Sequence, residues 1–183
     1  MKIASFALAL FVATPAFAAH WKVDPAKSHL GFSVPWQGQP FNGEFKSWSA
    51  DIDFDPANVA QAKASVSINI ASVTSGDDES DANLKGAQGF DADHFTTAKF
   101  VTTAIRAKGG NAYEATATLS LHGVSKTITL PFQLQFAGNS VHMTGATTIM
   151  RTDFGIGAGQ FASDDPVARA VKVTVDLTAT KSP

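Results

Sequence analysis

The chain has 183 residues, with 14 Lys and Arg against 16 Asp and Glu, and no cysteine. That length suits one domain with a real core; the absence of cysteine excludes disulfides, thiolate metal sites and a cysteine nucleophile; and a formal charge of -2 gives no electrostatic case for binding nucleic acid or an anionic membrane. The 14 Phe beside one Tyr and three Trp supply apolar bulk without a polar handle, which a filled core or a greasy cavity would use equally well.

In the opening stretch MKIASFALALFVATPAFA, Lys2 precedes an apolar run, and Ala16 and Ala18 form an A-x-A site. This pattern predicts a signal peptide over residues 1–18, cut after Ala18, and an exported domain over residues 19–183. The run is too short to cross a bilayer, and no later stretch reaches the roughly 20 apolar residues that a membrane helix needs.

From Trp21 onward the dominant period is two, the mark of strands with one buried face. In HLGFSVPW, Leu30, Phe32, Val34 and Trp36 share a face, and FNGEFKSW follows as a second strand. DIDFDP, residues 51–56, imitates the start of a calcium loop, but Pro56 stands where the sharp turn wants Gly and Ala62 where a bidentate Glu is needed. It reads instead as a strand ending in an Asp-Pro turn. KASVSINIASV then places Val66, Ile68 and Ile70 together.

Residues 75–95, SGDDESDANLKGAQGFDADHF, break the alternation. Acids at the front suit the positive end of a helix, and Gly86 is a plausible stop, so a short helix is expected near 78–86. Alternation resumes in AKFVTTAI, YEATATLSL, TITLPFQLQF, VHMTGATTIM and AVKVTVDLTAT, which brings the count to about eight strands. Asp55-Pro56-Ala57-Asn58, Gly109-Gly110-Asn111 and Gly138-Asn139 supply turn chemistry between them, and such short links mean antiparallel pairing. An open sheet of that size would leave edges and an unburied face; closure into a barrel or folding into a sandwich removes both problems.

RTDFGIGAGQF, residues 151–161, looks like a glycine-rich nucleotide loop. It lacks the βαβ surroundings that hold a pyrophosphate, and Asp164-Asp165-Pro166 argues against a following helix. The glycines fit better as a bend or wide loop between two strands. The five histidines, His20, His29, His94, His122 and His142, show no metal-ligand spacing, although His20 would lie beside the new N-terminal amine. No G-x-S-x-G elbow occurs; Ser120 and His122 point the same way on a strand, which permits a hydrogen bond without showing an activated nucleophile. The residues alone therefore indicate an exported antiparallel β domain without visible catalytic machinery. A barrel of about eight strands can be filled by side chains or can hold one small ligand, and a lipocalin-like binding protein is the leading physical reading.

WKVDPAKSHLGFSV, FNGEFKSWSADIDFDP, ANLKGAQGFDADHFTTAKF, ATLSLHGVSKTITLPF and RTDFGIG occur in an order that resembles the YceI-like family of periplasmic polyisoprenoid-binding proteins, over Trp21 to about Ala179. The most specific pieces are Leu119 to Lys126 and Arg151 to Gly157. The resemblance implies an all-β fold, an extended eight-stranded antiparallel barrel of lipocalin type with a helix beside it and a long apolar tunnel. It implies a non-enzymatic periplasmic carrier with no required cofactor, whose ligand is an isoprenoid lipid such as ubiquinone or a polyprenyl lipid, or a fatty chain. A homodimer and a quinone-using partner at the inner membrane belong to the same set of expectations. Gly89 departs from the bulky aromatic frequent at that place in the family.

With faces inferred from alternation, the ligand-binding set is Phe32, Val34, Trp36, Phe41, Phe45, Ile68, Leu84, Phe90, Phe95, Leu121, Phe132, Met143, Phe154 and Ile156. Arg151 and Asp153 are read as a structural pair or as head-group contacts, with structure favoured. Two alternatives stand beside the carrier: a filled barrel that docks a partner, and a hydrolase or isomerase acting on a lipid through His122.

Overall fold

The computed structural model describes residues 19–159 and 161–182; the expected signal peptide lies outside them. Eleven strand segments form one antiparallel sheet: β1 (Ala19–Val23), β2 (His29–Trp36), β3 (Gln39–Phe45), β4 (Trp48–Phe54), β5 (Lys63–Asn69), β6 (Val73–Thr74), β7 (Thr97–Gly109), β8 (Ala112–Leu121), β9 (Val124–Ala137), β10 (Ser140–Met150) and β11 (Ala170–Lys181). β1 and β2 are the two halves of one bent strand, as are β3 with β4 and β5 with β6. Counted this way, the sheet is an eight-stranded barrel in chain order, closed where β11 pairs with both β1 and β2.

Each bend has a polar cause. Between β1 and β2 the buried Ser28 donates its hydroxyl to the Asp24 carbonyl at 2.7 Å and accepts the Thr178 amide at 3.0 Å, so the interruption leaves those backbone groups satisfied. Ser72 serves the other two bends at once. Its hydroxyl donates to the Asn69 carbonyl at 2.6 Å and accepts the Ser47 amide at 3.0 Å.

Of the predicted turns, Gly109-Gly110-Asn111 and Gly138-Asn139 are the tight links β7–β8 and β9–β10, and Asp55–Asn58 begins the longer link from β4 to β5; a further tight link joins β8 to β9. The β8–β9 link is the pair His122-Gly123, with φ of 51° and 74°, the double left-handed geometry that matches the twist of a hairpin. The expected helix is α1 (Asp78–Lys85), capped by the Asp77 carboxylate on the Ser80 amide at 2.8 Å and ended by Gly86, whose amide donates to the Ala82 carbonyl. Gly89 follows because the turn folds back so closely that a Cβ there would collide with the Asn83 and Leu84 carbonyls, which is why an aromatic side chain has no room at this position.

The inward faces form two clusters. At one end Trp21, Phe54, Tyr113, Leu130, Phe132, Leu134, Val141 and Leu177 fill the barrel. Phe54 meets Tyr113 edge-on at 5.2 Å, Tyr113 stacks on Phe132 at 5.5 Å, and the Trp21 indole N–H donates to the Phe54 carbonyl at 3.0 Å. At the other end Leu30, Ile68, Ile70, Leu119, Leu121 and Phe154 form the second cluster, of which Leu30, Ile68, Leu119 and Leu121 also face an open cavity.

Candidate functional site

The hollow end holds a cavity of about 370 Å³, within the range of small-molecule sites. Its wall takes Phe32 and Val34 from β2, Phe41 and Phe45 from β3, Ile68 from β5, Leu119 and Leu121 from β8, Ile149 from β10, and Val171 and Val173 from β11. These positions follow the period-two alternation, so one face of each strand supplies the lining. Phe32, Phe45 and Phe90 form an aromatic cluster on one side, with ring centroids 5.4–5.9 Å apart. Leu84 and Phe90 close over the cavity from α1 and the turn after it, and Ile156, Gly157, Phe161 and Val167 from the loop before β11. Trp36, exposed at the tip of the β2–β3 hairpin and 5.8 Å from Phe41, stands at the mouth.

Phe32, Val34, Trp36, Phe41, Phe45, Ile68, Leu84, Phe90, Leu121 and Ile156 from the expected set thus meet around one cavity. The remaining four stand elsewhere. Phe132 and Met143 face a separate apolar void of about 90 Å³ in the filled end, since strands this long run through both compartments and inward alternation does not say which one a residue reaches. Phe154 is packed solid in the wall. Phe95 covers the His122 ring at 4.4 Å, because the irregular stretch after α1 turns it toward the β8–β9 hairpin. Sequence reasoning left out of the set Leu30, Leu119, Ile149, Val171 and Val173, although the same alternation places them on the inward faces of their strands.

Arg151 is buried at the edge of the cavity and holds the loop that covers it. Its Nε donates to the Ala168 carbonyl at 3.1 Å and Nη1 to Ile156 at 3.0 Å; Nη2 serves Phe161, Ser163 at 3.0 Å and Val167 at 2.8 Å. These carbonyls would otherwise lack donors, and the guanidinium fork is shaped to serve several at once. Burial pulls the Arg151 pKa below its ordinary value, while the nearby Asp164 charge opposes the shift. Arg151 is therefore structural, as favoured, but its partners are backbone carbonyls and not Asp153. Asp164 makes a two-toothed contact with Arg169, through Nε at 3.1 Å and Nη2 at 2.8 Å, and accepts the Arg169 amide at 2.7 Å; these bonds hold its carboxyl at about 2. In the glycine-rich run, Gly155 and Gly157 take φ of 74° and 67° and turn the chain after Phe154, as a bend between β10 and β11 requires.

The Ser120–His122 pairing does not occur. His122 sits in the hairpin turn rather than on the strand, its Nδ1 bonds the Phe154 carbonyl at 3.0 Å, and Ser120 pairs with Ser125 at 2.7 Å. Among the described residues His20, Asp51 and Asp53 bring their donor atoms within 4.8 Å of one another on the outer face of β1 and β4, where Asp53 also holds Lys63 at 3.2 Å.

The fold and site can be set beside known proteins. BcnA of Burkholderia cenocepacia superposes with a TM-score of 0.85 at 34% identity, over 87% of this chain and 100% of that one. A polyisoprenoid binding domain from Saccharophagus degradans shares the fold with a TM-score of 0.70 at 19% identity, over 90% and 99% of the two chains. A UPF0312 protein of Vibrio parahaemolyticus is 32% identical over 169 residues, 85% of this chain and 89% of that one. The YceI-like domain model matches residues 21–179, so that barrel, helix and covering loop lie within one domain and the chain belongs to the YceI-like family.

Proposed function

We propose that this protein is a non-enzymatic carrier that sequesters an isoprenoid-chain lipid, of ubiquinone or polyprenyl type, in the hollow end of its barrel. The single observation that carries the reading is the cavity of about 370 Å³, walled by apolar side chains from seven strands. Each CH2 of a tail moved from water into such a wall gains about 0.8 kcal/mol, so a few prenyl units offset the entropy lost in ordering them. Besides Arg151, which is engaged by the loop carbonyls, the polar side chains on the wall are Ser80, Asn83 and Gln88, which offer hydrogen bonds to a head group rather than general acid–base chemistry. The fold neighbour from S. degradans is described as polyisoprenoid binding, which names the chain class proposed here. The leader-like start at residues 1–18 supports export, with the periplasm as the site of action and a quinone-using membrane protein as the exchange partner.

The test is native mass spectrometry of the protein purified without detergent from its exporting cells, with extraction and identification of any lipid. A stoichiometric prenyl-chain adduct is the expected result. A clean apo mass together with no uptake of added ubiquinone or polyprenol overturns the carrier and leaves a partner-docking barrel.

A further inference from the structure

The outer face of the barrel carries a cluster of polar side chains over the filled end, and none of them lines the hollow-end cavity. We propose that His20, Asp51 and Asp53 form a binding site for a divalent transition-metal ion of the zinc or copper type, which ties β1 to β4.

The register of the two strands builds the cluster. Trp21, Ile52 and Phe54 point inward and pack in the filled end, so the alternating residues His20, Asp51 and Asp53 face outward. His20 stands directly opposite Asp53 across the β1–β4 pair. Its Nδ1 lies 3.1 Å from Asp53 Oδ1 and 3.6 Å from Asp51 Oδ1, and the three donor atoms fall within 4.8 Å of one another. His20 and Asp53 are 33 residues apart, so no short spacing motif could reveal the pairing.

Those separations fit an ion. Zinc bonds to imidazole nitrogen and carboxylate oxygen are about 2.0–2.2 Å, so two ligands in tetrahedral arrangement stand roughly 3.4 Å apart. The 3.1 and 3.6 Å distances from Nδ1 bracket that spacing. The ion would take the place of the proton in the hydrogen bond between Nδ1 and the Asp53 carboxylate, and that proton would leave to solvent. Lys63 holds the other Asp53 oxygen, Oδ2, at 3.2 Å, which leaves Oδ1 to the ion. Two carboxylates against this one ammonium keep the local charge favourable to a cation. The imidazole sets the metal class: it suits zinc or copper, whereas calcium and magnesium take oxygen ligands. The His20 and Asp51 side chains are 53% and 76% exposed, so the ion can enter from solvent and complete its coordination with water. Because β1 closes the barrel by pairing with both β4 and β11, an ion held across β1 and β4 binds the folded sheet and not the unfolded chain.

The experiment is isothermal titration of the exported protein, purified without chelator and then treated with EDTA, with Zn2+ and separately with Ca2+. The wild type, His20→Gln, Asp51→Asn and Asp53→Asn are compared, and thermal melting in EDTA checks that each variant is folded. The expected result is one Zn2+ per chain in the wild type, binding at least about tenfold weaker in each variant, and no comparable binding of Ca2+. Zn2+ should also raise the melting temperature of the wild type and leave that of His20→Gln unchanged. Equal Zn2+ affinity in the wild type and Asp53→Asn overturns the site, as does Ca2+ binding as tight as that of Zn2+, which would mark simple attraction to exposed acids. A loss confined to His20→Gln, with both Asp variants unaffected, also overturns it and assigns the ion to His20 and the α-amine that cleavage after Ala18 would leave beside it.

Discussion

The ring of Phe32 lies in the space that a side chain on Gly43 would need, the two residues facing each other across β2 and β3. Gly43 therefore lets an aromatic ring lie against the sheet and become part of the cavity wall beside Phe45 and Phe90. Gly43→Ala is expected to push that ring into the cavity, with the cost of overpacking, about 1–3 kcal/mol of stability. Thermal unfolding and prenyl-probe binding measured together should both fall. Unchanged binding with lowered stability would mean that the ring yields in another direction.

Arg151 joins the end of β10 to five carbonyls of the loop that covers the cavity. Arg151→Met should cost about 2–4 kcal/mol, because five half-buried loop carbonyls lose their side-chain donor at once. Arg151→Lys should recover little, since a point charge cannot replace the planar fork. Limited proteolysis is expected to move to residues 156–168 in both variants, while the filled end of the barrel stays protected from hydrogen exchange.

Phe132 belongs to the filled end, stacked on Tyr113. Phe132→Ala should cost about 3–5 kcal/mol as a core truncation and should leave ligand affinity in the separate larger cavity nearly unchanged. Denaturant titration and probe binding check the two halves of this expectation. A large affinity loss in folded protein would show that the two compartments communicate.

The Asp164–Arg169 contact sets a pH dependence for the covering loop. Because its folded pKa is lowered to about 2 from the ordinary value of 3.8, the contact's contribution is fully present above pH 3.8 and is lost as pH falls through about 2. Carboxyl NMR titration should place the Asp164 midpoint near 2, and amide exchange over residues 161–169 should rise only in that acidic window. Asp164→Asn should show the faster exchange already at neutral pH. A midpoint near 4 would mean that the contact does not persist in solution.

Strand existence and facing were legible because the alternation at Leu30, Phe32 and Val34, or at Val171, Val173 and Val175, leaves only one face able to bury apolar area. α1 was legible from its acids and Gly86. The bends at Ser28 and Ser72 were not, since a serine that accepts a backbone amide from a segment distant in sequence looks like any other serine until the sheet closes. The role of Arg151 was half legible: its carbonyl partners are spread over residues 156–168 and carry no side-chain signature.

The sequence by itself determined about eight antiparallel strands and most of the side chains on their buried faces, because burial of one strand face is a local, period-two constraint; alternation left barrel and sandwich both open, and the family resemblance pointed to the barrel. Only the tertiary structure decided that the barrel has a filled end and a hollow one. Inward residues are alike in alternation; whether they touch depends on how far the opposite wall stands. The aromatic packing of Phe54, Tyr113 and Phe132 closes that distance at one end, while Phe32, Phe45 and Phe90, held to one side under the covering helix and loop, leave it open at the other.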